Sequence, residues 1–471
     1  MLFSSYIFIF AFLPIMLIGF YILRFYNFVY AKVFLLCGSL FFYGFWNFLY
    51  LPLLLFSIII NFLLHKSILS AGGGAKYRLI VGICFNLLLL FIFKYTTFFL
   101  ENFRLLTLFF NINIEVPILN IVLPLAISFF TFQQIAFLVD TYRQKIDNNT
   151  FLDYCLFVSF FPQLIAGPIV HHSEMMPQFK NNNVSLQKAI KGIFIFSIGL
   201  FKKVYIADSF AKWADSGFKI VEGGGVLNIF ESWVTSLSYT FQLYFDFSGY
   251  CDMAIGLGLL FGIMLPINFN SPYKALNITD FWRRWHITLG RFLKEYLYIP
   301  LGGNKLTFGR TLINLFIVAF LSGIWHGAGY GFVIWGALHG IAMVSHRIYS
   351  TIKKDFAFFN TLFYKALCWF ITFNFLNISW IFFRSENVSG AINLLKGMFG
   401  VVWIGELSID YMKLLVLVCG VLFVLYLKNS IEMLENFKDN KKSAIFSGIL
   451  FYASVIYMGA VPYVKFIYFN F

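Results

Sequence analysis

His326 lies near the end of the almost wholly apolar run Leu312–Gly331, within Ser322-Gly323-Ile324-Trp325-His326-Gly327. An ionisable side chain at such depth in an apolar segment is costly, and groups kept there tend to be functional. A neutral imidazole with a pKa near 6.5 can take a proton from a hydroxyl and return it later, which is what acyl transfer to an alcohol needs. Glycines at 323, 327 and 331, repeated at 336 and 340, also suit close helix packing. The residues alone leave packing and a working imidazole both open, with Trp325 beside the histidine in either case.

A second imidazole, His286, stands in an amphipathic stretch. A helix beginning near Thr279 puts Trp282, Trp285, Leu289, Phe292, Leu293 and Tyr296 on one stripe, with Arg283, Arg284, Arg291 and Lys294 largely opposite. This predicts a helix lying in the membrane interface, its tryptophans buried and its arginines reaching water. Lys274 to Arg310 carries seven Lys or Arg against two acids, a balance of +5, which suits anionic headgroups or an anionic cofactor. His286 falls four residues after Trp282, on the apolar flank, where anchoring needs no ionisable group; a structural and a functional imidazole both fit. His339 and His346 are read as structural or interfacial.

Gln242 and Asp246 stand one helical turn apart in Tyr239–Tyr250 and can share a face among aromatics. Asp252 lies six residues on, off that face, so paired-carboxylate chemistry and a two-aspartate metal site find little support. Asp246 and Gln242 are therefore read as polar wall or helix-break capping rather than direct catalysis. Asn268 and Asn270, in Pro266–Tyr273, suit turn formation, with substrate contact as the alternative. No metal is expected, since the six cysteines are scattered singly without a CxxC pair. G-x-S-x-G, Walker A and G-x-G-x-x-G motifs are absent, which weakens a serine covalent intermediate and nucleotide hydrolysis.

The elements that must position these residues are membrane spans. The chain has 471 residues, 60% of them apolar and 12% charged. Its mean hydropathy of +0.80 exceeds what a soluble core can hide. Apolar runs long enough to cross, or nearly so, lie at 6–25, 28–47, 49–64, 78–100, 118–139, 152–170, 188–206, 233–247, 250–267, 312–326, 330–346, 362–383, 410–427 and 444–463. The first lacks a basic leader and cleavage site, so a retained helix is expected. Runs between 233 and 346 contain Gly, Asn, Asp and His and are expected to be broken or re-entrant. The net charge of +14 sits in short loops with no basic domain, which points to lipid headgroups rather than nucleic acid. The basic clusters 66–78, 143–145, 180–203, 274–310, 347–354 and 428–442 are predicted cytoplasmic; 48–50, 217–232 and 401–409 are poor in basic residues. With no soluble domain visible, the expectation is one all-α, polytopic, membrane-embedded domain over 1–471, with about 11–14 transmembrane or re-entrant helices. Within it, 269–311 would be a cytoplasmic amphipathic or re-entrant segment.

Several of these stretches resemble signatures of the membrane-bound O-acyltransferase family, in its bacterial branch of alginate and peptidoglycan O-acetyltransferases. They are Leu123–Gln134 with Asp140-Thr141-Tyr142-Arg143, Phe161–Ile169, Phe245–Tyr250, Asn268–Tyr273, Phe281–His286 and Ser322–Gly327, in order over about residues 120–340. The chain departs at Ala126, where the branch leads one to expect glycine, and after residue 355 it is similar in hydropathy only.

The resemblance implies a helical funnel with the acyl donor entering from the cytoplasm and the acceptor from the outer side. On that footing His326 is the essential histidine and general base, His286 its assistant. Trp325, Asp246, Gln242, Asn268, Asn270, Trp282 and Trp285 would line the substrate channel, and Arg283, Arg284 and Arg291 would hold the donor. The implied donor is acetyl-CoA, with no bound cofactor, and the implied partners are membrane lipid and a periplasmic acetyltransferase protein. The expected location is the bacterial inner membrane, in multi-pass form. The acceptor expected is peptidoglycan, because a chain so rich in Phe, Ile, Asn and Lys suits an AT-rich genome. Alginate O-acetylation, D-alanyl transfer to teichoic acid and a non-catalytic acyl transporter are the alternatives.

Overall fold

The structure, a computed structural model, describes every residue except 113, 118, 120, 147, 148, 182, 183, 353–360, 402–408, 462–465 and 468–471. The predicted spans 118–139 and 444–463, the basic run 347–354 and the stretch 401–409 each take in some of those positions, and that part of each lies outside the described residues. The described residues are helical with no strand among them. Six helices are long and apolar enough to cross a membrane: Phe8–Tyr26, Phe48–Ser70, Ala75–Lys94, Phe308–His326, Leu362–Arg384 and Lys441–Ala460. The protein is thus a multi-pass membrane protein. It packs as two compact units, one of Met1–Phe196 with Met253–Pro266, the other of Ser197–Asp252 with Ile267–Phe471.

The first unit opens with α1 (Leu13–Tyr26), entered by a π-helical turn, and α2 (Phe28–Gly44), whose first turn is capped by the Asn27 side chain. Then come α3 (Leu51–Ser70), α4 (Ala75–Lys94) and α5 (Thr96–Phe109), the last two replacing one predicted span over 78–100. The membrane offers no hydrophobic drive between helices, so a buried amide pair ties α3 to α4: Asn86 Nδ2 donates to Asn61 Oδ1 at 2.6 Å and Asn61 Nδ2 to Asn86 Oδ1 at 3.2 Å. Next is α6 (Ile127–Tyr142), starting nine residues later than the predicted span. The span predicted over 152–170 is two pieces, α7 (Phe151–Ser159) and α8 (Phe161–Leu164), because Pro162 starts a new helix at a bend in Phe160. Last is α9 (His172–Lys180), capped by His171.

Two helices run through both units, α10 (Leu186–Phe201) and α12 (Ile229–Leu260), with α11 (Asp208–Glu222) between them in sequence. The breaks expected between 233 and 267 are absent up to Leu260: α12 is continuous over 32 residues, about 48 Å. Its glycines serve close approach to α10 instead. A β-carbon at Gly256 would lie 2.6 Å from the Gly192 carbonyl oxygen, and one at Gly249 would lie 2.7 Å from that of Gly199.

In the second unit the chain from Ile267 to Asn277 is irregular apart from one 3-10 turn at Pro272–Lys274. It continues through α13 (Ile278–Arg284) and α14 (Ile287–Leu293) to a π-helical turn over Lys294–Tyr298. This corrects the single interfacial helix predicted over 279–298. His286 takes a left-handed backbone, φ +45°, breaking the helix there and turning Trp285 and His286 into the protein. Then follow α15 (Phe308–His326), α16 (Tyr330–Ile352), α17 (Leu362–Arg384), α18 (Val388–Met398), α19 (Tyr411–Tyr426), α20 (Ser430–Glu435) and α21 (Lys441–Ala460). Helices α15 and α16 cross where a β-carbon at Gly323 would fall 2.6 Å from the Gly336 Cα, so these two glycines pack helices.

Candidate active site

The second unit holds a cavity of about 830 Å³ beside α14, α15 and α16. Trp282, Arg283, Arg291, Lys294, Tyr298, Ser322, His346 and Arg347 are among its walls, with Glu295 the one carboxylate. Four permanent cations against one acid leave a net charge of +3, so the cavity favours a polyanion. Arg283, Lys294 and Arg347 are exposed and Arg291 is half-buried. Arg283, Arg291 and Lys294 therefore face a pocket as well as water, with Trp282 in the same wall.

His326, at the last turn of α15, is buried at 2% exposure. Its ring packs against Trp325, Trp335 and Phe383 at centroid distances of 4.9, 5.2 and 5.1 Å. His326 does not line the cavity. Ser322, one turn earlier on the same helix and about 6 Å along its axis, does. Trp325 links the two imidazoles, its ring 4.9 Å from His326 and 6.4 Å from His286.

His286 is fully buried, and burial pushes its imidazole down to about 3, so it is neutral at working pH. Its backbone strain is held by two flanking hydrogen bonds, Asn270 N–H to Arg284 O at 2.9 Å and Ile287 N–H to Asn268 O at 3.0 Å. The Asn268 side chain sits under the same turn, its Oδ1 3.2 Å from His286 Nδ1. The Phe247 ring closes the other side at 4.9 Å.

The remaining predicted residues divide between wall and scaffold. Trp282 lines the cavity and is steadied by His339: Trp282 Nε1 donates to His339 Nδ1 at 3.2 Å, and His339 Nε2 meets Ser379 Oγ at 3.1 Å. Trp285 is buried among Phe269, Phe281 and Trp380, away from the cavity. Arg284 does not line it either; its Nε pairs with Asp280 at 3.0 Å. Asn270 is exposed, its Oδ1 accepting from Asn429 Nδ2 at 2.9 Å.

Asp246 and Gln242 are buried on α12 and likewise off the cavity. Asp246 pairs with Lys203 at 2.8 Å and accepts the Ile467 N–H at 2.8 Å, and Lys203 also pairs with Asp208 at 2.7 Å. Lys202 pairs with Asp252 at 2.8 Å. Lys202 and Lys203, counted with cytoplasmic basic residues on the sequence, are thus buried in a charge network. Asp246 and Asp252 are remote in sequence from the lysines they meet, and no local pattern signals that pairing.

The sequence also gave no signal for His346, Arg347, Tyr298 and Ser322 as cavity walls, since they converge only once α15 and α16 pack. His346 Nδ1 meets Thr279 Oγ1 at 2.8 Å. In the first unit, Asp140 of the first signature meets His171 and His172, with Asp140 and His172 buried and His171 half-buried. His171 Nε2 lies 2.6 Å and His172 Nδ1 3.5 Å from Asp140 Oδ2, with Arg143 and Lys145 on the other oxygen at 3.8 and 3.6 Å. A hydrogen-bonded carboxylate already flanked by two cations is a charge network at the end of α6, and a divalent ion there would add to the positive charge.

Residues 142–385 match the profile of MBOAT, the membrane-bound O-acyltransferase family. The chain is 51% identical over 432 residues to a peptidoglycan O-acetyltransferase of Helicobacter pylori, an alignment covering 85% of this chain and 80% of that one. It is 37% identical over 408 residues to a probable alginate O-acetylase of Pseudomonas aeruginosa, covering 85% and 75%. It is 24% identical over 279 residues to a teichoic acid D-alanyltransferase of Bacillus subtilis, covering 57% and 70%.

Proposed function

We propose that this chain, which belongs to the membrane-bound O-acyltransferase family, moves an acetyl group from cytoplasmic acetyl-CoA across the membrane to an acceptor hydroxyl for the O-acetylation of a cell-envelope polysaccharide, peptidoglycan first among them. The observation that carries the reading is the cationic cavity whose wall includes Ser322, one turn from a buried imidazole. A net charge of +3 suits the phosphates of a coenzyme A thioester, with Arg283 and Arg291 as its holders. The 51% identity to the Helicobacter protein favours peptidoglycan over alginate or teichoic acid.

In the proposed step His326 takes the proton from the acceptor hydroxyl as its oxygen attacks the acetyl carbonyl. The C–S bond then breaks and the thiolate leaves, receiving that proton. His286, neutral and fixed in orientation, assists through its second nitrogen. Trp282 forms the donor wall, and Trp325 separates the two imidazoles. A periplasmic acetyltransferase protein would pass the group to the glycan, and the bacterial inner membrane is where such a pair would meet.

The purified chain in lipid nanodiscs, supplied with acetyl-CoA and a hydroxyl-bearing glycan acceptor, tests the chemistry. Thiol release from acetyl-CoA, lost in His326→Ala with the protein still folded, supports transfer. Acetyl-CoA left intact by the wild type refutes transfer and leaves a transporter, whereas undiminished release by the variant refutes the role of His326.

A further inference from the structure

Asn268 was expected either to form a turn or to touch substrate, and its contacts point to another task. Its Oδ1 accepts the Thr288 backbone N–H at 3.1 Å and the Thr288 hydroxyl at 2.9 Å, while its Nδ2 donates to Cys251 Sγ at 3.5 Å. A backbone N–H can only donate, so the Thr288 contact fixes which end of the Asn268 amide is oxygen. The atom 3.2 Å from His286 Nδ1 is therefore an acceptor, and His286 Nδ1 must carry the proton. Nε2 is then the nitrogen with the lone pair. The backbone keeps the ring beside that oxygen, because the Asn268 carbonyl holds Ile287 N–H and the left-handed turn at His286 cannot relax without releasing it.

We propose that Asn268 is a positioning residue that locks His286 in the Nδ1–H tautomer and so dedicates Nε2 to accepting a hydrogen bond or proton. The assignment of catalytic value to that nitrogen rests on the acyl-transfer reading above; the tautomer itself does not. A buried imidazole at neutral pH exchanges its proton between two nitrogens unless a neighbour decides. An amide oxygen already anchored by a backbone N–H decides without bringing a charge into the core. Asn268 touches no reacting atom and acts through His286.

The test uses the full-length protein with ring-¹⁵N histidine, purified in detergent, with His286→Gln locating the His286 resonances among seven histidines. The wild type is expected to show a protonated Nδ1 and an unprotonated Nε2; the reverse pattern overturns the proposal without recourse to any variant. In Asn268→Leu the two nitrogens should average, and kcat for thiol release from acetyl-CoA should fall about 10–100-fold with the donor KM within about twofold. Asn268→Asp, which keeps the acceptor oxygen, should recover the wild-type tautomer and most of that loss. Wild-type kcat in Asn268→Leu, or no recovery with aspartate in a folded protein, refutes the positioning role. A wild type that shows the Nδ1–H tautomer but no thiol release sinks the acyl-transfer reading while leaving the tautomer standing.

Discussion

Neutralising Arg291 tests whether the cavity holds the donor. Of its four cations Arg291 alone is half-buried, so solvent and salt screen it least. A phosphate about 5 Å from its guanidinium at an effective dielectric near 20 would gain roughly 3 kcal/mol. Part of that is lost to the screening of an open pocket, and glutamine retains a hydrogen bond, leaving about 1–2 kcal/mol. This converts to a rise of about 5–30-fold in KM for acetyl-CoA in Arg291→Gln, at 1.4 kcal/mol per tenfold. The chemical step lies a helical turn beyond the cavity, so kcat should stay within about twofold. Steady-state thiol release in nanodiscs reads both numbers, and the KM difference should shrink as salt is raised. An unchanged KM with a lowered kcat would mean that the cavity is not where the donor's phosphates sit.

Three further outcomes follow from the geometry. Ser322→Leu should push a branched side chain into the cavity where it approaches His326 and lower kcat/KM at least about tenfold, one such step being about 1.4 kcal/mol, whereas Ser322→Ala should stay near wild type in the same assay. Ala126, left-handed at φ +64° ahead of α6, is strained without the freedom of glycine; Ala126→Gly should stabilise by about 0.5–1 kcal/mol, seen as a higher thermal midpoint. Burial, helped by the neighbouring His171, lowers His172 to about 4, against a countervailing pull from Asp140 and with Lys145 alongside. The unfolded chain therefore binds more protons between pH 6.5 and 4, and stability should fall as pH drops through that window, by up to about 2 kcal/mol at pH 5. Denaturation midpoints of the wild type and His172→Gln at pH 7 and pH 5 check this, and equal pH sensitivity in both would contradict it.

Much of the candidate site was legible because its residues lie close in sequence. His326 announces itself as an imidazole ending an apolar run, and the alternation of aromatics and arginines after Thr279 marks a stretch that supplies both an aromatic and a cationic wall. The Ala126 departure was visible as an anomaly, and the left-handed turn gives its reason. What escaped was decided by distant partners. The helix expected over 279–298 breaks because Asn268 and Asn270 pair with Arg284 and Ile287, and helical periodicity carries no trace of such pairing. The break expected near Gly249 did not form because that glycine admits the α10 backbone. Lys203 reads as a loop cation until Asp208 and Asp246 close on it. Ser322, His346 and Arg347 become one wall only when α15 crosses α16.

The most direct measurement is mass spectrometry of envelope glycans from cells lacking the chain, complemented with the wild-type protein or with His326→Ala at equal membrane abundance. O-acetylated muropeptides should return with the wild type and stay absent with the variant. Equal acetylation in both would contradict the account at its centre, the proton transfer assigned to His326.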